Sequence, residues 1–299
     1  MRNSFFFSLL VLFLFLSCSR QPLSLIQKTD EKGMVFKEVN YKEIDSVLLT
    51  LRLYYPPSAE KDEPYPAIIF FFGGGWRGGA ITQFTPQARH FARRGMVAVL
   101  ADYRVESRHG TTPFDAVRDA RSAIRFLRQH AAPLGIDPDR IAGSGGSAGG
   151  HLAAAAATIE SEVEPGESRK ISPRPNALVL FNPVIDNGPE GYGYERVGGE
   201  ARFREISPLH NIRPGTPPTI IFLGTEDSLI PVKTAESYCQ KMKLVGSRCE
   251  LKLYEGRGHG FFNRNRSPEH YRQTLDAADR FLVSLGYLPV KSSSRQRDQ

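Results

Sequence analysis

The sequence predicts an α/β fold, with a mostly parallel central sheet, helices on both faces of it and a short cap segment. Short apolar runs alternate with amphipathic helical patterns along the chain. Several of the runs are continuously aliphatic, as strands buried on both faces of a parallel sheet are. The 299 residues, 40% hydrophobic and 24% charged, are enough for one large core.

No internal repeat or low-complexity linker divides the chain. We therefore predict one domain over residues 46–286, with an N-terminal extension over 20–45 and a loose tail over 287–299. The strands are predicted at Ser46–Tyr55, Ala67–Phe72, Val97–Tyr103, Arg140–Gly145, Ala177–Asn182, Thr219–Gly224 and Glu250–Gly256. The helices are predicted at Phe84–Arg94, Phe114–His130, Ala148–Ala157, Thr234–Leu244 and Glu269–Leu285. Only the strands before Ala67 are predicted to enter the sheet antiparallel.

The N-terminal segment 1–19 has the composition of a secretory signal. The apolar run Phe5–Leu16 follows Arg2, precedes small residues and is too short to span a bilayer. Two processing routes stay open: ordinary cleavage before Arg20, or lipidation of Cys18, because FLSC resembles a bacterial lipoprotein signal. We expect an exported protein that is periplasmic, secreted or anchored to a bacterial membrane through Cys18.

The charge distribution and the cysteines limit which partners, cofactors and cross-links we predict. The formal net charge is +7, but basic residues are scattered among acidic ones, so no nucleic-acid partner is predicted. No Cys/His cluster has metal-ligand spacing, and neither a metal nor a cofactor is predicted. Cys239 and Cys249 could form a disulfide in an oxidising compartment or remain two buried thiols. The oligomeric state stays open.

The stretch GSGGSAGG, residues 143–150, lies between a predicted strand and an alanine-rich helix. A G-x-S-x-G sequence at such a corner exposes its serine on a strained turn, and Ser147 fits this pattern. Ser144 falls inside the strand and does not fit. A flexible spacer would not join a buried strand to a helix, and a phosphate loop would need companion residues that are missing. We predict Ser147 as a nucleophile.

A serine nucleophile needs a base and an orienting acid, in the chain order Ser, acid, His for this kind of sheet. His259 lies in a glycine-flanked loop after the last strand and is the predicted base. Asp227 follows the preceding strand and is the predicted acid, with Glu226 and Asp186 as alternatives. The other downstream histidines lie on helices or a connecting stretch: His151, His210 and His270.

Three consecutive glycines end the strand FFF before Trp76. Glycines let backbone N–H groups approach a substrate oxygen closely. We therefore predict an oxyanion hole made by the N–H groups of Gly74, Gly75 and Ala148.

Together these segments resemble the α/β-hydrolases, in the carboxylesterase branch with an H-G-G-G-type oxyanion loop. GGGW, DYR, GIDPDRIAGSGGSAGGHLAA, GTEDSLIP and GHGFFN occur in the expected order between about Val47 and Leu285. The resemblance implies the roles already predicted for the triad and the oxyanion donors. The chain departs from the family at Phe72, where the loop histidine usually stands. Without that histidine, the resemblance implies the backbone donors but not their usual side-chain support.

Within that branch the chain looks most similar to acetyl xylan and feruloyl esterases. The resemblance implies hydrolysis of short-acyl esters on a carbohydrate or another small molecule. The alternatives are a general carboxylesterase, a feruloyl esterase, a prolyl oligopeptidase-like peptidase and an inactive exported binding protein. The segment Asn182–Pro214 is expected to cover the site, where Tyr192, Tyr194 and Phe203 could stack on a substrate or pack a local core.

Overall fold

A nine-stranded sheet runs through the molecule, in a computed structural model that describes residues 23–57 and 63–291. Its spatial order is β1-β2-β3-β5-β4-β6-β7-β8-β9. The strands are β1 (Ile26–Thr29), β2 (Val35–Ile44), β3 (Val47–Tyr54), β4 (Tyr65–Phe71), β5 (Val97–Ala101), β6 (Ile136–Gly146), β7 (Ala177–Phe181), β8 (Thr219–Gly224) and β9 (Cys249–Tyr254). The pairs β1–β2, β2–β3 and β3–β5 are antiparallel. The pairs β5–β4, β4–β6, β6–β7, β7–β8 and β8–β9 are parallel.

Eight α-helices connect or flank these strands in the described part of the chain. They are α1 (Thr85–Arg94), α2 (Glu106–His109), α3 (Pro113–Gln129), α4 (Ala131–Leu134), α5 (Ala148–Thr158), α6 (Phe203–Ile206), α7 (Val232–Leu244) and α8 (Pro268–Ser284). Short 3₁₀ turns occur at Ile81–Phe84, Glu195–Val197, Gly199–Ala201 and Pro208–His210.

The predicted α/β class is confirmed, and each predicted strand and helix has a counterpart in the structure. The sheet nevertheless extends into the segment predicted as an N-terminal extension, because β1 and β2 pair with each other and β2 pairs with β3. Their sequences, IQKT and VFKEVNYKEI, mix charged with apolar residues, since all of β1 is exposed and β2 is only partly buried. Edge strands of this composition lack the aliphatic run that identifies a central strand.

The chain beyond residue 286 is less loose than predicted. Tyr287 and Leu288 are buried, and Arg94 donates a hydrogen bond to the Pro289 carbonyl at 2.7 Å. The packed domain therefore continues past the predicted boundary, at least to Pro289.

Each face of the sheet has its own apolar core. Alternate residues of β4 belong to different cores: Ile69 and Phe71 to one, Ile68 and Phe70 to the other. The first core includes apolar residues of α3, α5 and α7, and the second those of α1 and α8. Because side chains alternate along a strand, the continuous aliphatic runs supply both cores at once.

The carboxyl ends of β4 and β6 lie side by side, with Phe71 paired to Gly145. The chain leaves β4 toward β5 on one side and returns to β6 on the other. Such a reversal of strand order opens a crevice at the carboxyl edge of a parallel sheet. The glycines after β4 and the serine turn after β6 therefore meet at one place.

Helix α5 packs unusually close to the end of β4. A Cβ atom added to Gly149 would lie 2.0 Å from the Phe71 carbonyl oxygen, so only glycine fits there. The remainder of α5 is mainly alanine and is buried along its whole length. Small side chains thus bring the first turn of α5 next to the glycines that follow β4.

Cys239 in α7 and Cys249 at the start of β9 form a disulfide, with their Cα atoms 5.2 Å apart. This closes a short loop, a cross-link that stabilises by about 2–3 kcal/mol in the loop-entropy account. Cys18 and the predicted signal lie outside the described residues. Among residues 23–57 and 63–291, no helix has the length and hydrophobicity needed to cross a bilayer.

Candidate active site

Ser147 occupies a strained backbone conformation between β6 and α5, with φ 54° and ψ −121°. A positive φ is costly for a residue with a side chain and needs support from its surroundings. Here the Ser147 N–H donates to the Phe181 carbonyl at 3.0 Å, and the Ser147 carbonyl accepts from Val184 at 3.1 Å. Ser144, in contrast, is fully buried and donates its hydroxyl to the Val179 carbonyl at 2.7 Å. The structure therefore places Ser144 inside the buried strand and Ser147 on the strained turn.

His259 and Asp227 are hydrogen-bonded to each other. The His259 Nδ1 lies 2.8 Å from Asp227 Oδ2 and 3.1 Å from Oδ1. Asp227 Oδ1 also accepts the N–H groups of Leu229 and Ile230, at 2.9 and 3.0 Å. The carboxylate is fully buried, whereas the neighbouring Glu226 is exposed. A carboxylate held this way fixes the ring and favours the tautomer in which Nε2 is the proton acceptor.

The other acid and histidine candidates lie in separate contacts. Asp186 Oδ1 is 3.6 Å from the Nδ1 atom of His210. His270 Nδ1 contacts the Ser267 hydroxyl at 2.7 Å, at the start of α8. The structure thus brings Asp227, and not Asp186, to the predicted base.

Ser147 and His259 line one cavity of about 470 Å³, together with Gly74, Gly75 and Asn182. Hydrogen bonds among the described residues include none between Ser147 and His259 directly. In a structure without substrate, catalytic hydrogen bonds are often long and tighten only when substrate binds. Ser147, His259 and the glycine loop, which is formed by residues 73–75 after β4, therefore surround a common space.

Asn182, at the end of β7, is a site residue that the sequence analysis did not identify. It is buried with φ 33°, its Oδ1 accepts the Gly260 N–H at 3.0 Å, and its Nδ2 lies 3.4 Å from His259 Nε2. The Asn182 side-chain amide thus connects the end of β7 to the loop that carries His259, which we call the histidine loop. A polar residue directly after a buried strand, ALVLFN, was the available signal.

The glycine loop presents free backbone donors toward the cavity. Gly74 has φ 134°, and an added Cβ atom would lie 2.2 Å from the Gly78 carbonyl oxygen. Within the part of the chain that the structure describes, no protein acceptor takes the N–H of Gly74 or Gly75. Ala148 begins α5, where the first N–H groups have no partner inside the helix. Three backbone donors therefore remain available beside Ser147.

A hydrogen-bonded bridge connects the glycine loop to the histidine loop. Gln83 Oε1 accepts the Gly73 N–H at 2.6 Å, and its Nε2 donates to Asn263 Oδ1 at 3.2 Å. Asn263 in turn donates to the Gly260 carbonyl at 2.9 Å. We refer to the Gln83–Asn263 pair as the amide bridge. It holds the predicted oxyanion donors and the predicted base in one network.

Phe72 supports the glycine loop by packing. Its ring stacks on Tyr103 with centroids 4.1 Å apart, and the Tyr103 hydroxyl donates to the Phe72 carbonyl at 2.7 Å. Arg108 lies over the Phe72 ring at 5.9 Å. An aromatic stack and a backbone hydrogen bond thus occupy the position of the family's usual loop histidine.

His151 provides a second support, from below the loop. Trp76 Nε1 donates to His151 Nδ1 at 3.3 Å, and His151 Nε2 contacts the Ile206 carbonyl at 2.9 Å. This pairing needs a neutral imidazole with its proton on Nε2, because a proton on Nδ1 would face the Trp76 N–H. Burial lowers the pKa of His151 to about 4. A neutral, buried histidine therefore joins Trp76, next to the glycines, to the cap segment.

The burial of His151 predicts that the folded protein loses stability in mild acid. In the unfolded chain the imidazole has a pKa near 6.5, so between pH 6.5 and 4 only the unfolded state takes up this proton. The free energy of unfolding should fall across this window by about 3 kcal/mol from this group. Urea unfolding of the wild type and His151→Gln from pH 7 to 4 measures it. Equal pH slopes in the two proteins would contradict the assignment.

The three aromatic residues of the cap segment have different roles. Tyr194 and Phe203 pack on each other with centroids 5.9 Å apart, which makes them part of a local core. Tyr192 lines the cavity and packs against Trp76 at 5.8 Å. Only Tyr192 is therefore placed to contact a substrate.

Known proteins share both the sequence and the fold of this chain. The BD-FAE family model matches residues 51–189, and the prolyl oligopeptidase family model matches residues 186–283. Esterase 2 of Thermogutta terrifontis, phosphoramylated by tabun, is 48% identical with a TM-score of 0.82, over 86% of this chain and 97% of that one. The chain belongs to the α/β-hydrolase serine esterases.

Curated esterase relatives have lower identity to this chain. Esterase LipC of Mycobacterium tuberculosis is 30% identical over 67% of this chain and 54% of its own length. The acetylxylan esterase of Xylanibacter ruminicola is 29% identical over 65% of this chain and 41% of its own length. The chain spans about half the length of the curated relatives it matches.

The site of this serine esterase has no arrangement typical of a bound metal ion. Across the described ranges, no group of three or more His, Cys, Asp or Glu side chains is placed to hold one. The groups that the structure brings together here are the Ser147 hydroxyl, the His259 imidazole, the buried Asp227 carboxylate and backbone N–H donors.

Proposed function

We propose that this protein hydrolyses short-acyl carboxylic esters with Ser147 as nucleophile, His259 as base and Asp227 as the orienting acid. The observation that carries the proposal is the buried Asp227–His259 hydrogen bond, in a cavity shared with the strained Ser147. His259 Nε2 takes the proton of the Ser147 hydroxyl as its oxygen attacks the ester carbonyl.

The tetrahedral oxyanion is stabilised by the N–H groups of Gly74, Gly75 and Ala148. Each such donor contributes roughly 3–4 kcal/mol to the transition state in enzymes of this kind. The proton on His259 then goes to the leaving alcohol, which leaves an acyl-Ser147 ester. Water attacks this ester with His259 again as base, releasing the carboxylic acid and restoring the serine.

A small acyl group suits the cavity. A Cβ atom added to Gly75 would lie 2.8 Å from the Tyr192 hydroxyl, so this tyrosine closes the space above the glycine loop. The Thermogutta esterase has been solved with propionate bound and with butyrate bound, which supports short acids as products. The acetylxylan esterase relative supports an acetyl group on a carbohydrate as the substrate.

A panel of esters and amides tests this function. p-Nitrophenyl acetate, butyrate and decanoate, acetylated xylan, methyl ferulate and a proline-containing peptide nitroanilide would be compared by kcat/KM. We expect the highest values for acetyl and butyryl esters and none for the nitroanilide. Preferential cleavage of the nitroanilide would instead support the peptidase suggested by the prolyl oligopeptidase match over residues 186–283.

Export is part of the proposal. The Cys239–Cys249 disulfide supports an oxidising compartment, where such bonds form and persist. The apolar run Phe5–Leu16 supports a signal, and Cys18 provides a site for lipid. Labelling of the wild type, but not Cys18→Ser, by palmitate in cells would identify the lipoprotein route, and an unlabelled wild type would exclude it.

A further inference from the structure

A second cavity, of about 750 Å³, lies beside the catalytic one and has no role in the mechanism above. Its walls are the turn between β1 and β2, the first turns of α1 and the loop after His259. We call it the hairpin cavity; among its lining residues are Thr29, Phe36, Tyr54, Thr85, Pro86 and Asn265. A volume in this range holds a small ligand.

The hairpin cavity adjoins the catalytic cavity at the amide bridge. Gln83 and Asn263 line both cavities, and their hydrogen bond lies between the two. A substrate whose acyl carbon is at Ser147 therefore has two directions in which to extend. Tyr192 lies close to Gly75 on one side, and on the other side the amide bridge forms the shared boundary with the polar hairpin cavity.

The hairpin cavity carries an excess of positive charge. Its charged side chains are four basic and two acidic ones: Lys32, Arg52, Arg89, Arg264, Asp30 and Glu31. Asp30 is paired with Arg89 at 2.6 Å, and Arg52 with Glu38 at 3.0 Å. Lys32 and Arg264 are in none of the ion pairs among the described residues, and both are exposed to solvent at the rim.

Arg89 adds an unsatisfied donor to the wall. Its residue is only 4% exposed, and its Nη2 has no hydrogen-bond acceptor within the described residues. Glu31 Oε1, an exposed carboxylate oxygen, lies 3.7 Å from Nη2, beyond hydrogen-bonding distance. A buried donor without an acceptor is energetically costly, and an oxygen atom of a ligand in the cavity would satisfy it.

We propose that the hairpin cavity binds the alcohol part of the ester, and that it selects a negatively charged, hydroxyl-rich alcohol such as an acetylated uronic acid. The carboxylate of this sugar would lie at Lys32 and Arg264. Its hydroxyl groups would meet the side-chain amides of Gln83, Asn263 and Asn265, which both donate and accept hydrogen bonds. This inference rests on the proposed esterase function and names the substrate class for it.

The test compares two acetyl esters that differ only at C6, an acetylated methyl glucuronide with a carboxylate there and the matching acetylated methyl glucoside with a neutral hydroxymethyl group. In the wild type at low ionic strength, kcat/KM should favour the glucuronide about two- to fivefold for each exposed cation that contributes. The preference should appear as a lower KM for the glucuronide. It should decrease in 1 M salt, because the Debye length falls to about 3 Å there.

Single substitutions identify the residues that cause the preference for the glucuronide. Lys32→Gln and Arg264→Gln should each lower the glucuronide-to-glucoside ratio of kcat/KM, whereas Lys243→Gln, which removes an exposed charge from α7, should not. A ratio near one in the wild type, or equal losses in all three variants, would overturn the proposal. Turnover of p-nitrophenyl acetate by the wild type is measured in parallel. Its absence would refute the esterase function itself, whereas turnover without charge preference would refute only the assignment of the cavity.

Discussion

Replacing Ser147 by alanine is expected to lower kcat for p-nitrophenyl acetate by about 10⁵–10⁶-fold, because nucleophile and base act as a unit. The strained turn stays in place, since its backbone hydrogen bonds to Phe181 and Val184 do not involve the hydroxyl. The variant should therefore remain folded and still bind ester. Steady-state kinetics and a fluorophosphonate probe, which labels only an activated serine, measure the effect.

Ser144→Ala is the matched control. It removes a serine hydroxyl three residues before Ser147, inside β6, that is buried and bonded to the Val179 carbonyl. We expect labelled, active protein that is destabilised by about 1 kcal/mol. Full activity in Ser147→Ala, or loss of labelling only in Ser144→Ala, would refute the assignment of the nucleophile.

Asp227→Asn is expected to lower kcat by about 10⁴-fold, the effect of giving the catalytic histidine the wrong tautomer. The asparagine can still accept from Leu229 and Ile230 through its oxygen. Its amide nitrogen would then donate to His259 Nδ1, which leaves the proton on Nε2 and removes the base. The loss should appear in kcat with little change in KM.

Two variants control for this result. Glu226→Gln alters an exposed neighbour, and Asp186→Asn alters the carboxylate that faces His210. Both should keep activity within a few-fold of the wild type. A large loss in Asp186→Asn with an active Asp227→Asn would move the acid to the end of the preceding strand.

Much of the candidate site could be predicted because its parts have local signatures. Ser147 needs small neighbours within two residues, and the turn around it is readable as GGSAG. Asp227 and His259 each follow a strand, and the carboxyl ends of parallel strands share an edge. Asn182 carried the same kind of signal, a polar residue after a buried strand.

Other features had no local signature. Gln83 and Asn263 are 180 residues apart in the chain, and each alone is an ordinary polar loop residue. Phe72 was recognised as a departure from the family, but its stacking on Tyr103 depends on how the ends of β4 and β5 lie together. The N-terminal strands were missed because their exposed positions allow charged residues.

The sequence by itself predicted the order of the central strands and helices, the turn that carries the candidate nucleophile Ser147, and the succession of the candidate residues Ser147, Asp227 and His259. These follow from periodicity and turn chemistry, which act over a few neighbouring residues. The tertiary structure decided which acid meets His259, how His151 and Phe72 support the glycine loop, and that the β1–β2 turn encloses a charged cavity beside the amide bridge. Each of these depends on side chains distant in sequence, which only the packing of helices and loops onto the sheet brings into contact.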